Sequence, residues 1–162
     1  MAAISRFESR SAEETRRLGE LLGTGLGRGD VVACIGELGA GKTCFLQGVL
    51  RGLGVAEPAT SPGFVLINQY RGRVSVYHVD AYRTESLSEI LDLGVEEMLW
   101  EDGVTVIEWA EKLLPLLPPE TLVVRISGLG SEPREIVLDG LPGDAGRLRL
   151  ERLLREADLA RL

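Results

Sequence analysis

The spacing of apolar residues changes several times along the 162-residue chain, and each change marks an element. Leu18, Leu21, Leu22 and Leu26 fall on one helical face. Ser11-Ala12-Glu13-Glu14 ahead of them is a capping box, so a helix is predicted to start at Ser11. Gly27, Gly29 and Asp30 predict a turn into Val31-Val32-Ala33-Cys34-Ile35, an unbroken apolar run of strand length. Phe45, Leu46, Val49, Leu50 and Leu53 return to helical spacing, and Gly52 and Gly54 end that run. Residues 64–70 and 74–79 read as a hairpin turning at Arg71-Gly72-Arg73. A second capping box, Ser86-Leu87-Ser88-Glu89, opens a short helix ended by Gly94, and residues 95–100 form another short helical piece. Residues 104–107 predict a strand, and Pro115, Pro118 and Pro119 a loop. Residues 122–126 and 135–138 predict a final hairpin. Residues 143–162 predict a helix with Leu150, Leu153, Leu154 and Ala157 on one face. A simple strand–helix alternation would not contain two hairpins. The order therefore predicts an α/β fold with a mixed parallel/antiparallel sheet and helices on both faces.

The turn between the first strand and the second helix changes the picture from fold to chemistry. Gly36-Glu37-Leu38-Gly39-Ala40-Gly41-Lys42-Thr43 fits the phosphate-loop pattern, and strand, loop and helix supply the context it needs. Glycines let successive N–H groups point at phosphate oxygens. Lys42 brings a point charge to the outer phosphates. The Thr43 hydroxyl suits Mg²⁺, a cation that takes hard oxygen ligands. The helix start, including Cys44, adds its positive dipole end. The fold class sharpens to P-loop NTPase-like, with 1–162 as a single nucleotide-binding domain.

Such a site also needs acids where strands end. Asp80 and Glu108 both end predicted strands. Either suits Mg²⁺, directly or through water, while the other orients a water. His78 shares the face of Asp80 by strand alternation and reads as a structural histidine with a satisfied hydrogen bond. Trp109 reads as a core residue or one facing the nucleotide or a partner. Arg83 and Arg134 are candidates for phosphate contact. The absence of an Asn-Lys-x-Asp segment argues against a guanine-nucleotide switch. A small-molecule kinase is the alternative reading, although no arginine-rich lid segment is evident.

The net charge is −7, so the chain lacks the basic footprint for holding nucleic acid by itself. No apolar run approaches the ~20 residues of a bilayer span. Residues 1–10 lack the apolar core of a signal peptide, and a cytoplasmic protein is expected. Two cysteines make no disulfide framework; Cys34 reads as a buried strand residue.

The phosphate loop, Thr60-Ser61-Pro62-Gly63-Phe64, Val76-Tyr77-His78-Val79-Asp80-Ala81-Tyr82-Arg83 and Ile107-Glu108-Trp109 occur in that order. Together they resemble the bacterial TsaE (YjeE) family over roughly residues 11–138. The resemblance implies a small ATPase of tRNA threonylcarbamoyladenosine (t6A) modification next to the anticodon. Such a protein binds ATP and Mg²⁺, hydrolyses ATP slowly alone, and acts with the TsaB and TsaD proteins, of which TsaD carries the transfer chemistry. It further implies Thr43 and Glu108 as Mg²⁺ ligands, Lys42 as the phosphate lysine and Asp80 as the second acidic site residue. Lys42, Asp80 and Glu108 form the catalytic set, and Asp80 also stands as a metal candidate. Ser11 and Arg134 are the positions nearest to the family's further nucleotide contacts. Gly63 stands where the family usually has threonine, so a hydroxyl contact there would have to come from Thr60 or Ser61.

Overall fold

The computed structural model describes residues 5–37, 40–56, 67–80, 103–128, 133–140, 148, 151 and 152. Strand β1 (Ser5–Ser9) leads to helix α1 (Ala12–Gly25), strand β2 (Val31–Gly36) and helix α2 (Lys42–Gly52). Strands β3 (Ile67–Arg71), β4 (Ser75–Asp80) and β5 (Gly103–Glu108) follow, then two 3-10 turns (Ala110–Lys112 and Leu114–Leu116), β6 (Leu122–Ser127) and β7 (Arg134–Gly140). The strands form one sheet in the order β1-β7-β6-β2-β5-β4-β3. Strand β2 lies parallel to β5 and β6, and β4 parallel to β5. Strands β3 and β7 run against them. The expected mixed sheet is therefore present.

Local chemistry accounts for most boundaries. Ser11 caps α1 from extended backbone, its Oγ accepting from Glu14 N at 3.1 Å, while Glu14 Oε2 accepts from Arg10 N at 2.6 Å. Val31 to Cys34 are all buried because both faces of the sheet are covered. Val32 and Cys34 join Leu22, Phe45, Leu46, Val49, Val106 and Val124 beneath the helices. Val31 and Ala33 face Tyr77, Ile107, Ala110, Leu113 and Leu117 on the opposite side.

Two differences from the sequence reading have plain causes. β1 was not predicted: Phe7 is its one large apolar residue, and the strand exists because its backbone pairs with β7. Of the stretch predicted as loop, Pro115 lies in the 3-10 turn Leu114–Leu116, which packs on the far face, while Pro118 and Pro119 are in loop as expected. The predicted helices over 86–100, most of that over 143–162 and residues 64–66 of the predicted hairpin strand lie outside the described residues; Leu148, Glu151 and Arg152 are helical. No helix among the described residues is long and apolar enough to cross a membrane.

Helices α1 and α2 touch through backbone. Gly19 and Gly23 on α1 meet Phe45 O and Val49 O; Gly48 and Gly52 on α2 meet Arg16 O and Glu20 O. At each of these glycines a Cβ would overlap the carbonyl opposite. Sequence reading took Gly52 only as a helix terminator. Arg73, between β3 and β4, then fastens the ends of both helices. Its guanidinium donates to Gly23 O at 2.8 Å, Leu26 O at 3.3 Å and Gly52 O at 3.4 Å, and its N–H donates to Leu53 O at 2.7 Å.

Gly48→Ala tests the seam. Helix propensity favours alanine by about 1 kcal/mol, but forcing atoms into a packed contact costs about 1–3 kcal/mol. A net loss of stability in urea denaturation is expected. Gly27→Ala, where a Cβ would meet nothing within 4 Å, should stay within about 0.5 kcal/mol of the parent. Equal stability of the two variants would contradict the close packing.

Candidate functional site

The parallel strands β2, β4 and β5 end at one edge, the position at which α/β sheets take ligands. β2 delivers the loop there. Gly36 is required because a Cβ would strike the Ile126 carbonyl on β6. Gly41 has φ 108°, a left-handed conformation open to glycine. It serves as the N-cap of α2 without a side chain, so no side chain fills the first-turn N–H groups. Leu38 and Gly39 lie outside the described residues. Ala40 is buried in the core beside the loop, and its carbonyl accepts from Arg134 Nε at 3.1 Å. Glu37 and Cys44 are less enclosed.

Lys42 is 5 % exposed. Its ammonium donates to Gly36 O at 2.5 Å and Glu37 O at 2.9 Å. The Trp109 ring lies 3.6 Å away, centroid to Nζ, an attraction of about 0.5–2 kcal/mol. Burial lowers the Lys42 pKa; the charges of Glu111 and Glu108 oppose the shift without cancelling it. Trp109 has φ 58°, a conformation that costs a bulky residue about 1–3 kcal/mol. The strain places the indole against the lysine. Sequence reading did not foresee this, because left-handed backbone leaves no mark on hydrophobic spacing. It did not single out Glu111 either, whose Oε1 accepts from Gly36 N at 3.4 Å.

Glu108 stands in the next layer, 3 % exposed. Its Oε1 accepts from Thr43 Oγ1 at 3.1 Å and its Oε2 from His78 Nε2 at 2.8 Å. Burial pushes its pKa up, but the hydrogen bond and charge of His78, the Thr43 hydroxyl and the Lys42 charge outweigh that and hold it below the ordinary value. Asp80 is the register partner of Glu108 on the adjacent parallel strand. Thr43, Asp80 and Glu108 thus meet at one edge, with Lys42 beside them. The single histidine is bonded to Glu108, in keeping with the expected satisfied hydrogen bond, while its Nδ1 is buried without a partner among the described residues.

Ser11 and Arg134 are carried to the same rim. Arg134 pairs in register with Ser9, and Ser9 Oγ donates to Ser11 O at 2.9 Å. The Thr15 methyl, one turn into α1, lies 3.9 Å from where a Cβ on Gly41 would sit. Arg83, Thr60, Ser61 and Gly63 lie outside the described residues.

The donor set around Thr43 and Glu108 is oxygen only, as Mg²⁺ requires. The His78 nitrogen that reaches it is engaged with Glu108. No group of three or more His, Cys, Asp or Glu residues among the described residues forms a complete metal cage. A hydroxyl and one ionised carboxylate therefore suit Mg²⁺, and the helix N-terminus suits the phosphates it would arrive with.

Sheet order, loop and rim define an α/β protein of P-loop NTPase-like fold. A family model described as threonylcarbamoyl adenosine biosynthesis protein TsaE matches residues 9–136, and the chain belongs to that family. It is 44% identical to the tRNA threonylcarbamoyladenosine biosynthesis protein TsaE of Treponema pallidum, over 82% of this chain and 98% of the relative. Its identity to the protein of the same name from Bacillus subtilis is 37%, over 91% of this chain and 92% of the relative. The crystal structure of Bacillus subtilis YdiB superposes with a TM-score of 0.81 at 30% identity, covering 100% of this chain and 99% of that one.

The lowered pKa of Glu108 sets a pH test. A carboxyl whose folded pKa lies below its unfolded value stabilises the fold above the unfolded pKa, here about 4.5. That contribution is lost as pH falls through the folded pKa. The stability gap between the parent chain and Glu108→Gln, from denaturant titrations, should be largest near neutrality and shrink as pH falls below 4.5. A gap independent of pH would contradict an ionised Glu108.

Proposed function

We infer that the chain, a TsaE-family member, takes part in tRNA threonylcarbamoyladenosine biosynthesis, the process its relatives are named for. We propose that it serves that modification as a cytoplasmic Mg²⁺-dependent ATPase, slow alone, acting on a TsaB–TsaD complex that holds the tRNA. The observation that carries this reading is the bond of 3.1 Å between the Thr43 hydroxyl and the ionised Glu108, at the start of α2 and beside Lys42.

Each residue then has a defined task. The uncapped N–H groups of α2 and the loop receive phosphate oxygens. Lys42 exchanges two neutral carbonyl acceptors for the outer phosphates, a stronger charge-assisted pairing. Thr43 and Glu108 would hold Mg²⁺, and Asp80, the register partner of Glu108, would act through water. Bound Mg²⁺ supplies charge neutralisation on the transferring phosphate. Asp80 or Glu108 orients the attacking water. Arg134 steadies the loop through Ala40 and is positioned with Ser11 for nucleotide contact. The acidic charge of −7 agrees with leaving tRNA to partners.

Calorimetry with ATP, in the presence and absence of Mg²⁺, tests binding. Turnover, alone and with TsaB, TsaD and tRNA, tests function. Lys42→Ala and Glu108→Ala are expected to cut turnover by ~100-fold or more, with t6A formation failing alongside. No nucleotide binding, or t6A formation indifferent to this protein, would overturn the reading.

A further inference from the structure

Strand β4 turns Val76, His78 and Asp80 to the helix face. Val76 is core and Asp80 is at the rim. His78, between them, is 2 % exposed. A buried imidazole has two polar atoms to satisfy. Nε2 meets Glu108 Oε2 at 2.8 Å, whereas Nδ1 is buried without a partner among the described residues. A ring kept only to fill space would be better replaced by an apolar one, because the unpaired nitrogen is a cost. The Nε2 bond is what distinguishes histidine here.

That bond reaches a carboxylate with one donor on each oxygen, Thr43 from α2 and His78 from β4. If Thr43 turns to Mg²⁺, His78 is the donor left on Glu108 among the described residues. Asp80 pairs in register with Glu108, and His78 with Val106, so His78 reaches its partner diagonally along the same face. Outer partners of this kind orient metal ligands elsewhere.

We propose that His78 is the positioning residue of the Mg²⁺–nucleotide site: its Nε2–H holds Glu108 so that Oε1 stays on the Thr43 side, where the cation binds. This rests on the nucleotide reading above. The role needs a proton on Nε2, the nitrogen that faces Glu108.

Calorimetry with ADP, in excess Mg²⁺ and in EDTA, separates the metal from the nucleotide. His78→Phe is expected to bind ADP in EDTA as the parent does, and to lose ~10–100-fold of the affinity that Mg²⁺ adds. His78→Gln, whose amide nitrogen can stand in for Nε2, should recover most of that gain; His78→Asn, one methylene shorter, should not. Should the phenylalanine variant fail to fold, the Gln and Asn pair still decides. Nitrogen-15 NMR of the parent chain should find a proton on His78 Nε2. Equal Mg²⁺ gains in the parent chain and His78→Asn, equal losses with and without Mg²⁺, or a proton on Nδ1 alone would each overturn the role of His78 while leaving ATP binding standing. No Mg²⁺-dependent nucleotide binding by the parent chain would overturn the nucleotide reading, and this inference with it.

Discussion

A carboxylate taken out of water is costly unless its oxygens are paired, and the Glu108 carboxylate at the end of β5 is nearly enclosed. Its two donors come from α2 and β4, so a single group ties together the helix that begins at the phosphate loop and the two strands that end beside it. Any displacement of α2 along its axis would break the Thr43 bond. A one-residue slip in strand register would send His78 or Glu108 to the other face. The charge at the centre of the rim thus depends on both the sheet and the helix layer being in place.

The helix layer meets that demand by backbone contact. Four glycines let α1 and α2 approach until carbonyls rest where side chains would otherwise be, and Arg73 collects carbonyls from the ends of both helices. This packing holds α2 over β2 and brings the start of α1, with Ser11 and Thr15, to the rim. The same rim receives β7, from which Arg134 reaches the loop at Ala40.

The site has two halves of different character. Glu108 is held by a buried hydrogen bond from His78 and a partly buried one from Thr43. Lys42 is held by neutral carbonyls and the face of Trp109, partners that a phosphate can outcompete. The strained backbone of Trp109 belongs to the exchangeable half, where strain is commonly stored. A rigid acidic pole beside an exchangeable cation suits a site that must take up and release a charged ligand.

Much of this was legible in the chain itself. The phosphate loop, the capped start of α1 and the apolar run of β2 declare themselves through short-range chemistry: turns, caps and unbroken burial. Asp80 and Glu108 were found because each ends an apolar strand-length run, and His78 was placed on the correct face by alternation. Sequence spacing could not show β1, which is a strand by virtue of its partner, or the glycine seam, which requires two helices to be laid together. Nor could it show which acid His78 serves. Alternation links His78 to Asp80 on its own strand, whereas the hydrogen bond crosses to Glu108 on the neighbouring one. What the chain determined alone is what neighbours in sequence decide: element type, turn chemistry and the kind of ligand the loop suits. What only the tertiary structure decided is pairing between distant segments, because strand order and helix contact bring together residues such as His78 and Glu108 that no local pattern connects.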